Sequence, residues 1–128
     1  MKYLLDTNII IDHIRGKVPI NKNVIKEGAA ISIIVLSELY YGAHKSINPK
    51  KSFSVIENLL QSMDLQTENL SEEIVYEFGE IKASLERKGE KVEDFDLLIA
   101  ATVKVSKLTL VTNNKKHFER IKGLKLYF

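Results

Sequence analysis

The chain has 128 residues, 45% of them apolar and 28% charged, with no cysteine; it is expected to be one domain, residues 1–128, able to bury about two thirds of its unfolded surface. Disulfides and thiolate metal sites are excluded, and the interior of a cell is the natural setting. No apolar run reaches the roughly 20 residues of a membrane span, and Asp6 interrupts the segment where a secretion signal needs its apolar core, so a cytoplasmic protein without a membrane partner is expected.

Tyr3–Leu5 reads as a short buried strand, followed by a helix that Asn8 can cap and that carries Ile9, Ile10, Ile11 and Ile14 to a stop near Gly16. Residues 20–28 read as a second short helix, and Ala30 to Ile33 as a second buried strand. The helix after it carries Leu36, Leu39, Tyr40 and Ala43. Asn48-Pro49 marks another helix start, with Phe53, Ile56, Leu60 and Met63 at helical spacing. Residues 64–67 read as a third strand. Ser71 caps a long helix whose first turn holds Glu72 and Glu73, whose stripe is Ile74, Phe78, Ile81 and Leu85, and which ends at Gly89. Residues 95–105 form a helix apolar on nearly every side, hence central. Leu108 to Val111 is a strand, and Leu124 to Tyr127 reads as a last one.

Strands alternating with helices predict an α/β/α sandwich on a central, mostly parallel sheet. The strands are continuous apolar runs, as when both sheet faces are covered. Ligands in such folds bind beyond the carboxyl ends of the strands, near a topological switch point. Asp6 falls just past the first strand, Glu38 one or two turns into the helix after the second, and Thr112, Asn113 and Asn114 just past a later strand. Asp96 lies in the first turn of the central helix. Three acids packed on one rim repel each other and raise at least one pKa. A hard divalent cation, Mg²⁺ or Mn²⁺, removes that conflict, because such ions prefer oxygen ligands. It can then activate water and stabilise a phosphodiester in flight. Asn8 and Asn114 are candidates to orient carboxylates or waters around it. Taken singly, the acids have plainer readings: Asp6 as a helix cap, Glu38 as a solvated helix acid, Asp96 as a favourable charge at a helix N-terminus.

The stretches "LLDTNIIIDHIRG", "ISIIVLSELYYGA", "FDLLIAA" and "LTLVTNNKKHFERIKGLKL" resemble the PIN domain of the VapC type, in that family's order and over nearly the whole chain. The resemblance implies a PIN-like fold, an Mg²⁺- or Mn²⁺-dependent endoribonuclease, a homodimer, and a VapB-like antitoxin that silences it as the toxin of a type II toxin–antitoxin pair. It implies that Asp6 and Asp96 bind metal and that Glu38 completes the pocket. Thr7, Asn8 and Thr112 would brace it by hydrogen bonds. Many relatives carry an Asp where this chain has Asn114, so a second metal site is not implied. The implied reaction is hydrolysis of an RNA phosphodiester, with Glu38 orienting the attacking water and the metal stabilising the leaving 3′ oxygen. Asp12 and Asp94 are supporting acids at most.

Residues 104–128 hold 7 bases against Glu119 alone, whereas residues 64–96 hold 11 acids against 4 bases. A basic C-terminal region suits an anionic partner, and Lys115, Lys116 and Arg120 are candidates for contacts to flanking phosphates, with solvated surface as the plainer alternative. His13, His44 and His117 have no spacing that builds a metal site. Tyr40 and Tyr41 read as packing residues before they read as base-stacking ones. Among rival enzymes, a phosphatase of the haloacid-dehalogenase sort would want an acid where Asn8 stands. A non-catalytic PIN scaffold that binds RNA or protein would be expected to lack one of the three acids. An RNA-processing nuclease with no toxin role stays open.

Overall fold

The structure, a computed structural model, describes residues 1–127; Phe128, the last residue of the expected domain, lies outside them. Short, mostly apolar runs make three of the four strands, whereas the edge strand at Gln66–Glu68 is polar and not buried, unlike the apolar runs expected. Tyr3–Leu5 (β1), Ala29–Ser32 (β2), Gln66–Glu68 (β3) and Thr109–Val111 (β4) pair in parallel in the order β3-β2-β1-β4. Leu4 stands opposite Ala30 on one side and Leu110 on the other. β1 is therefore central, and Leu4, Leu5, Ile31 and Leu110 are wholly buried, as parallel strands covered on both faces must be.

The path steps from β1 outward to β2 and β3, then crosses back over β1 to β4. Right-handed crossovers turn this reversal into helices on both faces. Thr7–Ile14 (α1) and Lys22–Glu27 (α2) join β1 to β2, and Ile33–Lys45 (α3) and Pro49–Ser62 (α4) join β2 to β3. Glu72–Arg87 (α5) and Asp94–Ser106 (α6) make the return to β4, followed by Lys115–Phe118 (α7). The apolar helix expected at 95–105 is α6. Its Leu97, Ile99, Ala100 and Val103 are buried, and the one buried polar group, Thr102, donates to Leu98 O at 2.8 Å. A Lys104–Glu77 ion pair at 2.8 Å ties α6 to α5.

Most element ends obey local chemistry. Ser71 Oγ accepts from Ile74 N, and Asn48 caps α4 ahead of Pro49. Four expectations need correction. The cap of α1 is Asp6, not Asn8: its carboxylate accepts from Thr7 N, so the helix starts at once. Ser32 Oγ caps α3, which moves Ile33 from strand to helix. Asp64 takes a left-handed turn at φ 52°, so β3 begins at Gln66. At 124–127 the chain forms a single bridge, Leu126 to Leu110, rather than a strand, and the short α7 was not foreseen.

Leu4→Ala should cost roughly 3 kcal/mol, the scale of emptying a fully packed core site, and Ser71→Ala about 1 kcal/mol for a lost cap. Urea unfolding of each variant measures both, and the larger loss should belong to Leu4.

Candidate active site

β1 and β4 are the neighbouring strands between which the chain path changes direction, so their carboxyl ends mark the switch point. Asp6 follows β1 there in extended conformation, 3% exposed. Its backbone N–H donates to Val111 O at 2.9 Å, extending the ladder by one rung. Both carboxylate oxygens are engaged. Oδ1 accepts from Thr7 N at 2.9 Å, and Oδ2 accepts from Thr112 Oγ1 at 2.7 Å. The Thr112 hydroxyl in turn accepts from Asn114 N at 3.0 Å. Next along α1, Thr7 Oγ1 donates to Glu38 Oε1 at 2.7 Å. One run of hydrogen bonds thus links the loop after β4, the end of β1 and α3.

The cleft above these groups measures about 410 Å³. Asp6, Thr7, Asn8, Glu38 and Asp96 line it, with Asn114 and the start of α6 at its edge. Burial pushes the Asp6 carboxyl above the usual range, against the opposing pull of the Thr112 and Thr7 hydrogen bonds. Asp96, half-buried, is pushed up to about 6, first by burial and then by the negative charges of Asp6 and Glu38; His117 nearby opposes this weakly. None of the three acids forms an ion pair among the described residues.

All seven residues singled out in the sequence bear on this cleft, in different ways. Thr7 and Thr112 act as the braces expected of them. Asn8 lines the cleft, yet its side chain makes no hydrogen bond among the described residues. Asn114 is exposed, and it is its backbone N–H, not its amide, that joins the network. Asp94 stands at the rim but pairs with Lys82 of α5 at 2.9 Å, and Asp12 accepts from Asn113 Nδ2 at 3.0 Å. Arg120 is turned elsewhere, donating to Lys91 O at 3.0 Å and facing Glu90 at 3.9 Å. His13 Nδ1 accepts from Ile20 N, and Tyr40 and His44 pack edge-on against Phe53, which are structural roles. Glu93 and Phe95, which line the cleft, were not singled out. The signal was their place in "EDFD", within one turn of Asp96.

Chemically the lining is mostly a set of oxygen donors: five carboxylates, those of Asp6, Glu38 and Asp96 with Glu93 and Asp94 at the rim, two amides and a hydroxyl. That set suits a hard divalent cation and no soft one. No cluster of three or more acids or histidines among the described residues is drawn tightly enough to hold an ion as it stands. Asp6 is held by two donors and Glu38 by a third.

The PIN domain family model matches residues 3–124. Ribonuclease VapC2 of Haemophilus influenzae is 37% identical, over 98% of this chain and 96% of that protein. The tRNA(fMet)-specific endonuclease VapC of Shigella flexneri is also 37% identical, with the same coverage. Among solved structures, VapBC2 from Rickettsia felis, bound to a DNA fragment from their promoter, matches with a TM-score of 0.90 and 36% identity, over 99% of this chain and 98% of that one.

An acid with a raised pKa holds its proton more tightly folded than unfolded. Its contribution therefore favours the fold below the unfolded value, about 3.8, and is lost as pH climbs through about 6. Asp96→Asn removes the charge and keeps the shape. Without divalent cations, it should melt at a higher temperature than wild type at pH 8, with the gap closing as pH falls to 4. A scan of thermal midpoints against pH in EDTA measures it, and equal midpoints at every pH would remove the charge conflict.

Proposed function

The chain belongs to the PIN domain family, and from that membership and the acidic cleft we propose that it is a divalent-metal-dependent endoribonuclease, the toxin of a type II toxin–antitoxin pair, built as a single PIN domain over residues 1–128. One observation carries the reading: Asp6, Glu38 and Asp96, from three separate elements, line one cleft open to solvent, and burial together with the other two charges raises the pKa of Asp96 to about 6. Three acids brought together without a cationic partner store repulsion that a bound Mg²⁺ or Mn²⁺ relieves. The relatives supply the substrate class, since their names are ribonuclease and tRNA-specific endonuclease.

Asp6, Asp96 and Glu38 would hold the cation, which supplies charge stabilisation for the phosphodiester and activation of water. Thr112 and Thr7 N hold the Asp6 carboxylate in one orientation, so that little has to be reorganised when substrate arrives. Thr7 fixes Oε1 of Glu38, which leaves Oε2 to orient the attacking water and take its proton. The water oxygen bonds to phosphorus as the bond to the 3′ oxygen breaks. Asn8 and Asn114 add polar oxygen without charge at the edge of the cleft.

The matched structure is a VapBC complex, which supports a VapB-like antitoxin as partner. An apolar groove of about 290 Å³ between α1, α3 and α4 shares Glu38 with the acidic cleft, so a protein segment seated in it would abut the site. We also propose a homodimer acting in the cytoplasm. No helix among the described residues is long and apolar enough to cross a membrane.

EDTA should abolish RNA cleavage, and added Mg²⁺ or Mn²⁺ should restore it; undiminished cutting in EDTA would remove the metal. Asp6→Asn and Asp96→Asn should each lower the cleavage rate at least about a hundredfold while circular dichroism shows a folded chain. Thr112→Val should cost roughly 10–100-fold in metal affinity or activity by freeing the Asp6 carboxylate. Asn114→Asp should tighten Mn²⁺ binding in a calorimetric titration. Expression of wild type but not Asp6→Asn should arrest growth, with RNA end sequencing locating the cuts. Cleavage without arrest would leave a nuclease with no toxin role.

A further inference from the structure

Phe95 is the one apolar side chain in the lining of the acidic cleft. It is 49% exposed, at the second position of a helix whose other apolar residues turn inward. Packing does not ask for it. The residue before a helix cap and the fourth residue of the helix can staple the N-terminus by apolar contact, and here those positions are Val92 and Leu97, both buried. The aromatic pairs among the described residues are Tyr3 with Tyr127, and Tyr40 and His44 with Phe53. The cations over rings sit on Tyr3, Tyr41 and Phe78. Among the described residues no aromatic ring or cation is therefore paired with Phe95, and half of its surface meets solvent.

A lone exposed apolar residue on open surface needs no explanation. A ring set between Asp94 and Asp96, at the mouth of a cleft of charged groups, is different. Its neighbours all favour water, and Asp94 is drawn off toward Lys82, leaving the ring beside the carboxylates. The cleft, about 410 Å³, falls within the range of sites that enclose whole small ligands, so it has room for more than an ion and a phosphate.

We propose that Phe95 is the stacking platform for one nucleobase of the RNA next to the scissile phosphate. The inference rests on the ribonuclease reading of the cleft and adds a subsite to it. The subsite takes the π face of an unpaired base, so the substrate is single-stranded or looped where it is cut. Stacking tolerates any base, and a base must be out of its helix to present its face. An anionic cleft with one apolar wall thus binds RNA by its base there, and by its phosphate only through the cation.

The test uses an RNA oligonucleotide spanning a cut site mapped with the wild-type protein, and the same RNA with single abasic positions. Phe95→Ala should lower kcat/KM roughly five- to one-hundred-fold, mostly through KM. Phe95→Trp and Phe95→Tyr should stay within about threefold of wild type, whereas Phe95→Leu, which keeps bulk without a ring, should lose nearly as much as Phe95→Ala. One abasic position beside the cut should cost wild type a similar factor and Phe95→Ala nothing further, as expected of two partners in one contact. The chain has no tryptophan, so Phe95→Trp also carries a single indole, whose emission, excited beyond the tyrosine band, the intact RNA should quench and the abasic RNA should not. Wild-type cleavage with an unimpaired Phe95→Ala or Phe95→Leu, or abasic and Phe95→Ala losses that simply add, would overturn the stacking platform alone. A wild-type protein that cuts no RNA would overturn the ribonuclease reading beneath it.

Discussion

The 2.7 Å hydrogen bond from Thr112 Oγ1 to Asp6 Oδ2 joins residues 106 positions apart, across the two strands where the chain path reverses. A carboxylate buried to 3% exposure is tolerable only if its oxygens are met by donors, and here one donor comes from the last strand and the other from the helix it caps. The bond therefore fixes the ends of β1 and β4 and the orientation of a charge together. Were Thr112 an apolar residue, Asp6 would lose a partner in a nearly dry position, and protonation would answer the loss. Among the described residues no buried side-chain polar atom is left without a partner, so the charge conflict in this molecule is confined to the cleft.

That confinement sets stability against function. α6 packs its apolar faces into the core, which holds its first turn, and so Asp96, close to Asp6 and Glu38. A neutral residue at that position would relax the fold. The proposed cation, bound by all three carboxylates, would offset the cost of keeping an acid there. Lys82 and Lys104 anchor α5 to α6 at the two ends of that pairing, which keeps the first turn of α6 in place despite the repulsion.

The sheet and its helices were legible because each signal is local: apolar runs of three or four residues, and caps such as Ser71 and Asn48-Pro49. The acids could be assigned to one rim because strand ends follow from that pattern, and Thr7 and Thr112 could be named as braces from the resemblance. Three things were hidden. Asp6 rather than Asn8 caps α1, because the choice depends on where the strand stops, and that is set by pairing with Val111. The last strand shrank to one bridge because Lys125 O and Tyr127 N both bond the one residue Leu110. The ring of Phe95 looked like one more core residue of an apolar helix, and only the direction in which α6 enters the fold turns it outward.

Charge gives the same lesson. Counted in sequence, the C-terminal region is strongly basic and suggests a ready surface for RNA. In the fold Lys104 is paired with Glu77, and Arg120 is directed at Glu90 and the Lys91 carbonyl, so two of its seven bases serve the packing of α5 and α6 and their connection. The cleft proposed to receive the scissile phosphate is acidic. An anionic polymer and an anionic cleft repel, and in the proposed reading a divalent cation held there would offset most of the charge of the cleft and offer its open coordination positions to a phosphate. Whatever factor the cation adds to the affinity for RNA, RNA would add to the affinity for the cation, as linkage requires. In the proposed arrangement the metal would set how strongly the phosphate is held, and the flat face of a base, which needs no metal, would have the Phe95 ring to rest on.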